Sequence, residues 1–225
     1  MNDMDSSRVA IIGPGRLGTA LAYKFGRDGK DVTLYYHDAE ICREINQTHR
    51  NPRHLTGDLA KMLGGIERVP GLVNVTATND LEKVVLENDY IVFAITMNRL
   101  RELLSHIKPL IARKSGRTCI VSPIKGLSSD EKTSELITPS QAINNHLFDL
   151  KHKFTIICIG GPFFEMDIAT GRPVCVTVTG NKHMVKAFNL SFLRLNRREL
   201  TAYYNFDTVG IEACGALKNI VANLK

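Results

Sequence analysis

Tryptophan is absent, and only five cysteines occur in 225 residues. Cys42, Cys119, Cys158, Cys175 and Cys214 are odd in number and never spaced as CxxC, a pattern that does not read as a disulfide framework. Three lie in strand-like apolar runs (TCIVS, IICIG, PVCVTV), and the set reads as buried thiols of a reducing compartment. Without a CxxC pair or an HExxH string, no metal site is expected. The 17 glycines and 8 prolines are too few for a low-complexity or fibrous chain. No run of eighteen apolar residues occurs, which argues against a membrane-spanning helix. The opening stretch MNDMDSSRVAII is acidic and polar where a signal peptide would be basic and then apolar. A soluble, cytoplasmic protein without membrane insertion is the expectation.

What is present is ordinary globular material, 44% hydrophobic and 23% charged, with a net charge of +6. Residues 1–112 balance 14 basic against 14 acidic side chains, whereas residues 113–225 carry 15 against 9, so the excess lies in the second half. That suits an anionic ligand. The basic residues are scattered, with no long run and no aromatic ladder, so no nucleic-acid partner is expected.

Short β-branched runs recur along the chain at 8–12, 31–36, 73–78, 90–95, 117–122, 154–160 and 173–180. Stretches of helical spacing lie between or after them, at 16–27, 38–47, 79–87, 98–112 and 181–195, with Leu100, Leu103, Leu104, Ile107 and Ile111 on one face. Alternating strands and helices predict a doubly wound, mainly parallel α/β sheet covered on both faces. Residues 48–72 are read as the one long irregular segment before residue 113, a place where function often resides. From Asp207, an N-cap candidate, Ala213, Cys214, Leu217, Ile220, Val221 and Leu224 fall on one helical face. Gly210 and Gly215 inside that helix, each costing about 1 kcal/mol against alanine, suggest a close neighbour. Residues 1–204 are therefore set apart as the α/β part of the chain, with 205–225 as a helical segment of different pattern. A homodimer through the exposed face of the last helix would cover its apolar side chains.

Gly13-Pro14-Gly15-Arg16-Leu17-Gly18 directly follows the strand RVAII and opens a helix, which is the context the GxGxxG pattern needs. The first glycine permits a tight turn, the second lets the backbone approach a pyrophosphate, and the third allows close helix–strand packing. The helix N-terminus adds N–H groups and partial positive charge. The bland alternative is a glycine-rich turn serving only the strand–helix junction. Asp38 lies about 20 residues beyond Gly18, where an acid would hold ribose hydroxyls, yet it is equally placed to cap the following helix. The choice between NAD and NADP stays open, with His37 as a candidate adenosine contact or a solvated loop residue.

Two lysines complete the set. Lys125 follows the strand RTCIVSPI, where side chains border the ligand crevice of an open α/β sheet. Lys218 sits within the apolar last helix; burial and a second cation would lower a lysine's pKa toward the range useful in proton transfer, although a snorkelling lysine is an equal alternative.

The strings GPGRLGTALA, NPRHLTG (51–57), KG at 125, GGP (160–162) and DTVGIEACGALKNIVA (207–222) together resemble the NAD(P)-dependent sn-glycerol-3-phosphate dehydrogenases. The resemblance runs from residue 8 to the end, and the last string is its most specific part. It implies a Rossmann-type domain followed by the first helix of an all-α second domain, whose remainder the family continues beyond the GALKN helix. It further implies interconversion of dihydroxyacetone phosphate and glycerol 3-phosphate with NAD or NADP for glycerophospholipid synthesis. By that resemblance Lys218 is the proton donor and acceptor. Lys125, Gly161 and Asn219 contact a small phosphorylated substrate, and Gly13, Gly15, Arg16, Leu17, Gly18, His37 and Lys125 serve the cofactor. Departures occur at Leu17, where an aromatic is usual, at Ile95-Thr96-Met97, and at Phe163 and Glu165, which replace small residues in the substrate loop. A catalytically silent dinucleotide-binding module of the same descent is the alternative, and another ketoacid reductase would have no reason to keep GALKN.

Overall fold

The computed structural model describes residues 8–130, 133–193 and 199–222, with the side chains of residues 190, 191 and 219–222 left aside. In chain order the elements are β1 (Val9–Ile12), α1 (Arg16–Arg27), β2 (Val32–Tyr35), α2 (Ala39–Thr48), α3 (Thr56–Leu63), β3 (Val75–Thr78), α4 (Leu81–Glu87), β4 (Tyr90–Phe93), α5 (Met97–Arg113) and β5 (Thr118–Ser122). There follow a two-residue hairpin of β6 (Ser128–Ser129) and β7 (Leu136–Ile137), α6 (Pro139–His146), β8 (Phe154–Gly160), α7 (Glu165–Thr170), β9 (Val174–Gly180), α8 (Lys182–Phe188), β10 (Leu200–Tyr204) and α9 (Thr208–Ala222).

Eight strands form one sheet in the order β10-β9-β8-β5-β4-β1-β2-β3, parallel throughout except where β8 meets β9. Strand order reverses beside β1, which pairs with β2 on one side and β4 on the other, in register Val9 to Val32 and Val9 to Tyr90. This is the doubly wound arrangement expected, and its carboxyl-edge crevice opens between β1 and β4. The central strands β1, β4 and β5 are buried on both faces because helices cover both. Val9, Ile11, Tyr90, Val92, Cys119 and Val121 pack toward α1, α7 and α8, while Ala10, Ile12, Ile91, Phe93 and Ile120 pack toward α4, α5 and α6. The alternation follows the two-residue pleat.

Several expectations are corrected. The segment 48–72 is not irregular throughout: it contains α3, closed by Gly64 in the left-handed region, and a 3-10 turn at Ile66–Arg68. α6 had no counterpart in the periodicity reading, because Ile143 is its one buried large apolar side chain; Thr138 and Gln141 instead define its start by a reciprocal capping box. β10 was also unforeseen, since as an edge strand it buries only Leu200 fully. The helix expected over 181–195 ends as α8 at Phe188 and continues as a π turn over Asn189–Leu193. Of the five cysteines, Cys42, Cys119 and Cys158 are buried, but Cys175 and Cys214 are exposed, Cys175 on the outward face of β9 and Cys214 on an open side of α9. Among the described residues no helix is long and apolar enough to cross a membrane.

α9 seats its first turns on the sheet. Asp207 Oδ1 accepts from Gly210 N at 2.8 Å, the expected N-cap, and this explains Gly210, where a Cβ would collide with the Asp207 carboxylate. Glu212, buried to 5% exposure, accepts from Ser140 N at 3.0 Å and Ser140 Oγ at 2.5 Å, tying α9 to the start of α6. A Cβ on Gly160 would overlap Ile211, so the glycine at the end of β8 makes room for this helix. Its outer face is open: Val209 is 49% and Leu217 48% exposed.

Candidate dinucleotide and substrate site

At the carboxyl end of β1 the three glycines of the turn do three different things. Gly13 has φ +106°, and a Cβ there would overlap the Ala94 carbonyl at the end of β4. Gly18 lies so close to the Gly13 carbonyl that any side chain would overlap it. Gly15 is the N-cap of α1 at φ −65°, donates no side-chain cap, and a Cβ there would meet nothing within 4 Å. Steric need therefore explains Gly13 and Gly18 but not Gly15. Space in front of Gly15, together with the uncapped N–H groups of a twelve-residue helix, is a cradle whose shape and polarity fit a pyrophosphate.

The turn is braced from a loop whose role was not foreseen. Asn51, fully buried, donates to the Pro14 carbonyl and to Thr19 Oγ1, both at 2.8 Å, while its Oδ1 accepts from Arg53 N at 3.1 Å and His54 N at 3.2 Å. An asparagine before proline reads in sequence as turn chemistry, and nothing local signals its partner 37 residues away.

Leu17 is partly buried against the core. Arg16, at the first position of α1, forms ion pairs with Asp58 of α3 and with Glu165 of α7, the latter at 2.7 Å from Nε. Partial burial opposes ionisation of Glu165, but the hydrogen bond from Arg16, a backbone N–H and nearby Lys125 outweigh it and hold the carboxyl below its usual range. His37 is exposed just past β2, edge-on to the Tyr36 ring at 4.9 Å. Asp38 caps α2, its Oδ1 accepting from Glu40 N at 3.0 Å and Ile41 N at 3.3 Å. The capping alternative is thus the one realised.

Lys125 and Lys218 converge. Lys125 Nζ lies 4.5 Å from the Phe163 ring centroid, and Lys218 Nζ lies 5.8 Å from that of Phe164. Partial desolvation, followed by the charge and hydrogen bonding of adjacent Lys218, pulls Lys125 from the usual lysine range down to about 8. The neighbour near Gly215 is Lys125 itself, whose Cγ would be 4.0 Å from an added Cβ. Gly161 has φ +118° and faces the Cys175 carbonyl, 3.2 Å from where its Cβ would be. The side chain of Asn219 lies outside the described residues. The carboxyl ends of β1, β5 and β8 and the third turn of α9 thus bring the glycine turn, two cationic lysines and the loop 160–165 to one edge of the sheet. Among the described residues no cluster of His, Cys, Asp and Glu is placed to hold a metal ion.

Residues 8–186 match the family model described as NAD-dependent glycerol-3-phosphate dehydrogenase N-terminus. The chain belongs to this family. Glycerol-3-phosphate dehydrogenase [NAD(P)+] of Clostridium botulinum is 29% identical over 223 residues, covering 96% of this chain and 58% of the relative. That of Rhodospirillum rubrum is 31% identical, covering 95% and 54%. The crystal structure of glycerol-3-phosphate dehydrogenase from Coxiella burnetii superposes with a TM-score of 0.77 at 25% identity, over 96% of this chain and 59% of that one. The chain spans about half the length of the curated relatives it matches.

Proposed function

We propose that this chain binds NAD or NADP at the Gly13–Gly18 turn and contributes the reacting half of an sn-glycerol-3-phosphate dehydrogenase site. Residues 1–204 are the dinucleotide-binding domain and 205–225 begin a helical substrate domain. The observation that carries this reading is the convergence of Lys125 and Lys218 beside the turn, at the carboxyl edge of a doubly wound sheet. When bound, the nicotinamide supplies the hydride in reduction and takes it in oxidation. Lys218 gives a proton to the carbonyl oxygen as dihydroxyacetone phosphate is reduced, and recovers it in the reverse direction. Lys125, with the backbone at Gly161 and with Asn219, holds the substrate. Two adjacent cations favour both a phosphate and a forming alkoxide. Lys218 also raises the proportion of neutral Lys125 near pH 8, so the pair need not hold two full positive charges in substrate-free protein.

Leu17 and Arg16 lie with the cofactor turn, and His37 marks its adenosine end. A second reading, a dinucleotide-binding module without catalysis, is favoured by the loop 163–165. Phe163 is buried under Lys125, and Glu165 brings a carboxylate to the site. Isothermal titration with NADH and NADPH, repeated with dihydroxyacetone phosphate while absorbance of the reduced nicotinamide is followed, separates the two. Binding with oxidation is expected. Binding without oxidation selects the silent module, and no binding rejects both.

A further inference from the structure

The adenosine end of the cleft has a charge arrangement that the glycine turn does not determine. In a dinucleotide site of this topology an acid beyond β2 accepts hydrogen bonds from the ribose 2′-hydroxyl of NAD, whereas a nearby arginine accommodates the 2′-phosphate of NADP. Asp38 occupies the acid's position, but both of its oxygens are engaged. Oδ1 accepts from Glu40 N at 3.0 Å and Ile41 N at 3.3 Å, and Oδ2 accepts from Arg53 Nη2 at 3.1 Å. Three of its roughly four lone-pair sites are thus filled, which leaves one at Oδ2, beside the guanidinium.

Arg53 is differently placed. It uses two of its five N–H donors on Asp38 and on the Tyr36 hydroxyl, the latter at 3.4 Å, and its side chain remains 53% exposed. Its backbone is fixed: Arg53 N donates to Asn51 Oδ1 at 3.1 Å, and Asn51 in turn grips the Pro14 carbonyl of the phosphate turn at 2.8 Å. One buried asparagine thereby sets the distance between the pyrophosphate cradle and the guanidinium at the ribose end. His37 borders the same place. The negative charge that would repel a 2′-phosphate is already offset by Arg53 and by the start of α2.

We propose that this chain selects NADP(H) over NAD(H), with Arg53 as the residue that takes the 2′-phosphate. The proposal rests on the dinucleotide reading above and adds the identity of the cofactor and of the residue that chooses it. A guanidinium gives a dianionic phosphate several charge-assisted hydrogen bonds, so a preference on the order of tenfold or more is expected.

The test is calorimetric titration of the full chain with NADPH, NADH, 2′,5′-ADP and 5′-AMP. NADPH and 2′,5′-ADP should each bind on the order of tenfold tighter than their counterparts without the 2′-phosphate, and the gap should narrow as salt is raised. Arg53→Gln should abolish the gap while NADH affinity stays nearly constant, and Arg53→Lys, which keeps the charge without the fork, should restore part of it. Equal affinities, a preference for NADH, or a gap that survives in Arg53→Gln would overturn the proposal and leave the dinucleotide site standing. If none of the four compounds binds, the dinucleotide reading itself fails and the cofactor choice fails with it.

Discussion

The turn at Gly13–Gly18 and the loop at Gly160–Glu165 are both glycine-led bends at the carboxyl edge of the same sheet, yet they are specified by different physics. In the turn, side chains are excluded: Gly13 and Gly18 lie against backbone carbonyls, and Gly15 faces open space. In the loop, Gly160 makes room for Ile211 and Gly161 bends at φ +118° against the Cys175 carbonyl, while the side-chain contacts are made by Phe163, Phe164 and Glu165. A bend defined by what cannot fit leaves a readable sequence signature. In the loop the glycines are readable too, but the contacts of Phe163, Phe164 and Glu165 are not, because their partners lie far away in sequence. Arg16 is the junction of the two, at the first position after the cradle and 2.7 Å from Glu165.

The contrast can be broken at either end. The largest effect is expected for Gly18→Ala, whose Cβ would overlap the Gly13 carbonyl; it should lower stability by about 3 kcal/mol in a denaturant melt. A loss below about 1 kcal/mol would show that the turn yields and that its glycines are not sterically required. In active enzyme, Lys218→Met should lower turnover on the order of a hundredfold or more while dinucleotide affinity stays nearly unchanged. Equal loss of both would make Lys218 a structural residue. Glu212→Ala removes the acceptor for Ser140 N and Oγ in a buried place and should cost about 2 kcal/mol, releasing α9 from the sheet.

A smaller effect concerns pH. Lys125 is lowered to about 8 from the ordinary lysine value of 10.5, so it is charged below that pH and becomes neutral above it. Affinity for a phosphorylated substrate should therefore fall as pH rises through about 8, and Lys125→Arg, charged throughout, should remove that inflection. The stability linkage has the opposite sense: the unfolded chain holds this proton up to a higher pH, so the group's contribution to stability improves between the two values. The smallest effect belongs to Glu165→Ala. The pair with Arg16 is partly exposed, and its loss should change stability by less than about 1 kcal/mol. A larger loss would mean that the loop depends on the turn for its fold.

The sheet was legible because its strands are short β-branched runs, the central ones buried on both faces, that alternate with periodic helices such as α5, whose Leu100, Leu104, Ile107 and Ile111 are all buried. The elements that escaped lack that signature. α6 buries Pro139, Ser140 and Ile143 and starts at a capping box, and β10 is an edge strand with Tyr203 61% exposed. In the site, the glycines and the two lysines stand out by motif and position. Asn51, Asp58 and Glu212 do not, because each acts on a partner 37, 42 or 72 residues away. Asp38 had two readings of equal standing from sequence, and the hydrogen bonds from Glu40 N and Ile41 N show that it serves as the cap.

The most direct test of the cradle is Gly15→Ala, because a methyl there touches no protein atom within 4 Å and φ is already favourable. Titration with NADPH and a thermal melt on the same sample should show dinucleotide affinity falling at least tenfold. Stability should be unchanged or raised by about 0.5 kcal/mol. Unaltered affinity in a protein of unaltered stability would contradict the claim that the space before Gly15 is where the pyrophosphate binds.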